Sequence, residues 1–126
     1  HSKDSTALGL FGIFDEEGAY GVGHSQINSD ARAAGAQAIQ QAIRQAKRPG
    51  EVPDLVWISG LPGHEELVIL GIQDVIGLDV PIAGGSSADN EVTGNWQQFS
   101  NGQLFTDFLA LSTCCHCHFS EFKLPV

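Results

Sequence analysis

Residues 55–86 open with Leu55-Val56-Trp57-Ile58-Ser59 and the loop Gly60-Leu61-Pro62-Gly63. They continue as HEELVILGIQDVIG over 64–77 and close with Val80-Pro81-Ile82-Ala83-Gly84-Gly85-Ser86. The first run is short and continuously apolar, as expected of a strand covered on both faces. His64 to Ile76 reads as a helix. Glu65 and Glu66 sit in its first turn, where the helix dipole favours negative charge. Leu67, Ile69, Leu70, Ile72, Val75 and Ile76 make it apolar round most of its circumference, so it is expected to be well buried. Gly77 closes it. Val80 to Ala83 reads as a second strand, with Pro81 pointing to an edge or an irregular start. A strand–helix–strand unit of this length implies a right-handed crossover between parallel strands.

Upstream, Asn28-Ser29-Asp30 supplies short polar side chains for a helix N-cap. Ala31 to Lys47 then carries Ala38, Ile39, Ala42, Ile43 and Ala46 at helical spacing. Arg44, Lys47 and Arg48 suit the negative end of the dipole, and Pro49-Gly50 stops the helix. Before it, Ala7 to Phe14 (ALGLFGIF) reads as a buried strand, Asp15 to Gly18 as a turn, and Tyr20 to Ile27 as a second strand. Together they predict a hairpin. Downstream, Gly84 to Gly94 reads as a polar loop. Trp96–Ser100 and Gln103–Leu111 read as strands joined by Asn101-Gly102, a pair suited to a two-residue hairpin turn. The expected fold is α/β, a mixed β-sheet with the order β-β-α-β-α-β-β-β. Its central strands are parallel and hairpins stand at both ends.

The 126 residues suffice for one domain. Fifteen acidic residues against six basic ones give a net charge of -9, which disfavours nucleic acid and anionic membrane as partners and favours solubility. No apolar run approaches the roughly 20 residues of a membrane-spanning helix. The chain begins on His1 without a recognisable leader and is read as a fragment or processed product. Its three cysteines, Cys114, Cys115 and Cys117, are clustered and odd in number, unlike a secreted disulfide framework, so a cytoplasmic setting is expected. The domain is expected over 1–111, with 112–126 as an atypical Cys/His-rich tail. Cys114-Cys115-His116-Cys117-His118 holds metal-ligand types. Five adjacent residues on an extended segment cannot all close on one ion, so adventitious binding is the expectation and no metal site is assigned.

In open α/β sheets ligands bind beyond the carboxyl ends of parallel strands. The loops after Ser59 and after Ala83 share that edge if their strands are neighbours. Gly63 and His64 begin a helix whose free N–H groups suit an anion. Gly84 and Gly85 allow close backbone approach. Ser86, Ser87, Asp89 and Asn90 offer hydrogen bonds, and Asp89 could receive an ammonium group. The same glycines serve equally as turn formers, His64 as a helix start and Asp89-Asn90 as a self-capped turn. Neither loop has the spacing of a dinucleotide fingerprint or the lysine of a P-loop, and no cofactor is implied. Ser86, His64 and Asp89 are the types a hydrolase needs, but Gly84-Gly85-Ser86-Ser87-Ala88 is not a nucleophile elbow.

The pattern Pro62-Gly63-His64-Glu65-Glu66, Val80-Pro81-Ile82-Ala83-Gly84-Gly85-Ser86, Ala88-Asp89-Asn90, Trp96, Gln98-Phe99 and Asn101-Gly102 resembles the N-terminal part of the FIST family (F-box and intracellular signal transduction proteins). Tyr20-Gly21-Val22-Gly23 and the Ala-rich helix fit as well, so the resemblance spans about residues 6–111. It implies a sensory domain that binds small ligands, amino acids or their relatives, and feeds signalling output domains or proteins. It brings no catalytic residues. Against the family's longer region, an earlier strand–helix segment and a C-terminal companion domain are not in this sequence, and the residues from Ser112 depart from an apolar strand. A sheet shortened in this way has an exposed edge, from which a homo-oligomer is expected.

The sequence therefore predicts a non-enzymatic ligand-binding module with Gly63, His64, Gly84, Gly85, Ser86, Ser87, Asp89 and Asn90 around the ligand. A small hydrolase using Ser86 and His64, and a structural fragment with a metal-binding tail, are the alternatives.

Overall fold

The computed structural model describes residues 9–10, 12–60, 62–86, 97–105 and 108–115, with residues 105 and 108–115 described by their backbone. In chain order the elements are β1 (Ala19–Gln26), α1 (Ala31–Gln45), β2 (Leu55–Gly60), α2 (Glu65–Ile76), β3 (Ile82–Ser86), β4 (Gln98–Ser100), β5 (Gln103–Phe105) and β6 (Phe108–Cys115). Four of the strands form one sheet in the order β1-β6-β2-β3, and β4-β5 is a separate hairpin. β2 and β3 are parallel, in register from Val56 opposite Ile82 to Gly60 opposite Ser86. β6 is antiparallel to both β1 and β2. The strands β1, β2 and β3 thus point the same way, and β6, the last strand among the described residues, is inserted between β1 and β2.

The α/β class and the mixed sheet agree with the sequence. Asp30 caps α1 by accepting a hydrogen bond from Ala33 N–H at 3.0 Å. The apolar side of α1 is made of small residues, and Ala38, Ile39 and Ala42 are fully buried. Small residues let the helix lie close on β1. A Cβ on Gly21 or Gly23 would collide with the backbone carbonyls of Ala42 and Ala38 respectively. The two helices also touch through glycine: Gly35 lies against Val68, and Gly71 against Arg32. Arg32 and Asp74 add a bidentate ion pair between them, at 2.7 and 2.8 Å. Val56 and Ile58 of β2, Val68, Ile72 and Ile76 of α2, and Val80 in the connection to β3 complete the core.

The predicted N-terminal hairpin is not formed among the described residues. In the stretch 7–14, the described residues 9, 10 and 12–14 adopt no strand, and Leu10, Ile13 and Phe14 are exposed. The reason lies in β1, whose two sides are both taken. One side pairs with β6 along its full length. On the other, N–H groups that an antiparallel strand directs away from its neighbour meet glutamines from α1. Gln41 Oε1 accepts from His24 N–H at 2.8 Å, and Gln45 Oε1 accepts from Val22 N–H. Gln37 Oε1 accepts from Ser25 Oγ at 3.1 Å. Residues 37, 41 and 45 are one helical face at i, i+4, i+8. That face closes the edge of β1. The Asp15 turn stands: its carboxylate accepts from Glu17 N–H and from Tyr20 Oη at 2.9 Å.

Three further expectations change. β3 runs from Ile82 to Ser86, so Gly84, Gly85 and Ser86 belong to a strand rather than to a loop. The strand expected to end at Leu111 is divided into β5 and β6, and β6 continues to Cys115. The helix α2 buries one side only. Val68, Gly71, Ile72 and Ile76 are buried, whereas Leu67 and Leu70 are 50% and 42% exposed. The close glycine contact turns one narrow face to α1 and leaves the rest of the apolar circumference outside. At the other end the Asn101-Gly102 hairpin forms as predicted. Both residues have positive φ, 50° and 79°, as a tight turn between antiparallel strands requires.

Candidate functional site

The parallel pairing of β2 and β3 brings their carboxyl ends together, with Gly60 opposite Ser86. The first turn of α2 starts beside them. His64 is the N-cap residue, exposed and with no side-chain capping bond. Gly63 precedes it with a φ of +90°. Its N–H donates to Glu65 Oε2 at 2.9 Å, and Ser86 Oγ donates to Glu65 Oε1 at 2.6 Å. One carboxylate therefore ties the start of α2 to the end of β3. The Ser86 hydroxyl is the main cause holding the Glu65 carboxyl below the usual carboxylate range, helped by backbone N–H groups and by the neighbouring His64. Glu65 is thus a charged, exposed anion with both oxygens oriented.

This arrangement reverses the electrostatics expected of the helix start. The Gly63 N–H, read as a free donor for a ligand anion, is occupied by the protein's own carboxylate. The site offers negative charge. The Ser86 hydroxyl donates to this carboxylate and not to His64.

Below Glu65 lies a cavity of about 190 Å3, bounded by Ile58, Gly60, Val68, Ile69, Ile82, Ala83, Gly84 and Gly85. Its walls come from β2, β3 and α2, and they are almost wholly apolar. Gly84 is required here. Its φ is +142°, and a Cβ at that position would collide with the carbonyl of Ile58 on the neighbouring strand. A Cβ on Gly85 would meet only open space. The buried Gln98 of β4 fixes the neighbouring strand end. Its Nε2 donates to the carbonyl oxygens of Ser59 and Gly60 at 3.3 and 3.2 Å.

Of the residues singled out from sequence, Gly63, His64, Gly84, Gly85 and Ser86 converge on this sheet edge. Ser87, Asp89 and Asn90 lie outside the described residues, as do His116, Cys117 and His118 of the tail. Cys114 and Cys115 are on β6. Among the described residues no group of three or more His, Cys, Asp and Glu is placed to hold a metal ion. Sequence reasoning missed Glu65 and Gln98. Glu65 read as a helix-dipole residue, although its place directly after a Gly loop at a strand's carboxyl end was the available signal. Gln98 was visible only as part of a family pattern.

The described residues define an α/β class of domain, with two helices, a mixed sheet and an apolar cavity at the carboxyl ends of its parallel strands. Within it, this chain belongs to the FIST N domain family, whose model matches residues 2–123. FIST domains are sensory domains in signal transduction. No curated protein sequence matches the chain. Among solved structures it is similar to a mutant FtsZ from M. jannaschii, with a TM-score of 0.43 and 11% identity, covering 84% of this chain. The match spans only 29% of the FtsZ chain. No helix among the described residues is long and apolar enough to cross a membrane.

Proposed function

We propose that this protein is a non-enzymatic, small-ligand-binding sensory module of intracellular signal transduction. Its ligand is an amino acid or a related small amine. The observation that carries the reading is the Glu65 carboxylate, held by Ser86 and Gly63 at the mouth of an apolar cavity of about 190 Å3. An ammonium group would pair with Glu65, and a short apolar side chain would enter between Ile58, Val68 and Ile82. Such a pairing is charge-assisted and strong for its size.

The module acts in the cytoplasm on signalling output domains or proteins, and not on nucleic acid or membrane. Self-association would use the β3 side of the sheet, since α1 closes the β1 side. A hydrolase reading is not favoured by any contact of Ser86, whose hydroxyl is engaged by a carboxylate and not by an imidazole.

The test is a thermal-shift and calorimetric screen of the chain against the twenty amino acids, simple amines and simple anions. A ligand selective for the folded state raises stability by about 2.7 kcal/mol at a hundredfold excess over its dissociation constant. Binding of an amine-bearing class that Glu65→Gln abolishes is the expected result. Binding of anions alone, or amine binding indifferent to Glu65→Gln, would overturn the assignment.

A further inference from the structure

A second and larger cavity, of about 370 Å3, lies away from Glu65, at the loop leading into the amino end of β2. Its floor is apolar: Ile43 of α1 and Ile76 of α2 are buried, and Val75 is partly buried. Pro49 and the exposed Val52 extend this apolar lining into the loop. Its rim is polar, with Gln40, Arg44 and Glu51.

The charge distribution around it is unlike that of the rest of the chain. The protein carries a net charge of -9 and has six basic residues, yet Arg44, Lys47 and Arg48 fall within a single turn and a half of chain here. The helix dipole accounts for a preference for positive charge at this end. It does not account for a cavity beneath it. Arg48 is engaged with Glu51 at 3.9 Å. Arg44 forms no ion pair among the described residues and lines the cavity directly.

We propose that this cavity binds an aliphatic monocarboxylate, with its tail on Ile43, Val75 and Ile76 and its carboxylate on Arg44. The volume falls in the range of roughly 300–1,000 Å3 usual for small-molecule sites. A planar guanidinium matches a carboxylate in a two-point fork. Glu51 on the same rim is paired with Arg48, which leaves Arg44 as the rim's cation for an anionic ligand. The absence of a carboxylate partner for Arg44 among the described residues leaves the ligand to supply it. This site is separate from Glu65 and stands whether or not the amine reading of that site holds.

The probe is octanoate, titrated into the full 126-residue chain labelled with 15N. Saturable shifts are expected at the amides of residues 40–52 and 75–76. Arg44→Gln, at an exposed position, should weaken the affinity about tenfold, the equivalent of one charge-assisted hydrogen bond. Glu65→Gln should leave it unchanged. Val75→Asp, on the cavity wall, should abolish it, and unshifted core amides elsewhere report that this variant is folded. Absence of saturation, equal binding of octylamine, or octanoate affinity unaltered by Arg44→Gln would each overturn the proposal.

Discussion

The hydroxyl of Ser86 lies 2.6 Å from Glu65 Oε1, joining the last residue of β3 to the first residue of α2. Twenty-one residues of chain separate the two. Their meeting is what converts two ordinary surface residues into an oriented anion beside an apolar cavity.

The first consequence is a pH window. The folded-state pKa of Glu65 is lowered, chiefly by the Ser86 bond. A carboxylate whose pKa is depressed by folding contributes stability that is complete above its unfolded pKa and is lost as pH falls through the folded value. Affinity for an ammonium ligand follows the same course, constant at neutral pH and lost at the acid end. Ser86→Ala should move the Glu65 midpoint up toward the ordinary carboxylate range. An NMR titration of the Glu65 carboxyl carbon measures this, and an unmoved midpoint would falsify the role given to Ser86.

A second prediction concerns the contact of α1 with β1. Gly21→Ala or Gly23→Ala places a methyl group into a backbone carbonyl of the helix. Neither backbone can yield as a side chain would, so each variant should lose about 3 kcal/mol or more in urea unfolding. Gly50→Ala serves as the contrast. Gly50 has positive φ but open space around it, and its cost should be confined to about 1–2 kcal/mol of backbone strain.

The glutamines of α1 give a third. Replacing Gln41 and Gln45 with leucine leaves the N–H groups of His24 and Val22 without their present acceptors. Each substitution should cost about 1–2 kcal/mol. The opened edge should also raise self-association, since unpaired strand edges recruit other chains. Sedimentation of the double variant measures it. A double variant as monomeric and as stable as the parent would show that the edge is closed by something other than these side chains.

Gln98 supplies the fourth. It is buried and donates to the carbonyls of Ser59 and Gly60 at the end of β2. Gln98→Ala should destabilise the protein by about 1–3 kcal/mol through the acceptors it strands. Because Gly60 bounds the cavity, the same variant should weaken amine binding even under conditions where the protein remains folded. Intact affinity in folded Gln98→Ala protein would confine Gln98 to a purely stabilising role.

Much of this architecture was legible in the order of residues. The two helices were marked by caps and by period. Asn101-Gly102 marked a hairpin because its two positive-φ positions are ones few other residue pairs accept. The parallel pairing of β2 and β3 followed from a crossover of fixed hand, and with it the convergence of Gly63, His64 and Ser86 on one sheet edge. The described part of the stretch 7–14 misled for a physical reason. Its composition suits a strand, but a strand also needs a partner, and whether one is free depends on the whole sheet. The reach of α2's apolar surface misled likewise, because burial depends on what packs against a helix and not on its own hydropathy.

The sequence by itself determined the two helices and the Asp15 and Asn101-Gly102 turns, since capping, periodicity and φ preference act within a few residues of chain. The tertiary structure alone decided that β6 enters between β1 and β2, that the glutamines of α1 close the edge of β1, and that Glu65 is bound by Ser86. Those are contacts between residues distant in the chain, and local propensity has no means of specifying them. The α1 glutamines carry no local sign of this role, and Glu65 read as a dipole residue. Only the packing of α1 on β1, and of β3 beside the start of α2, gave those side chains their partners.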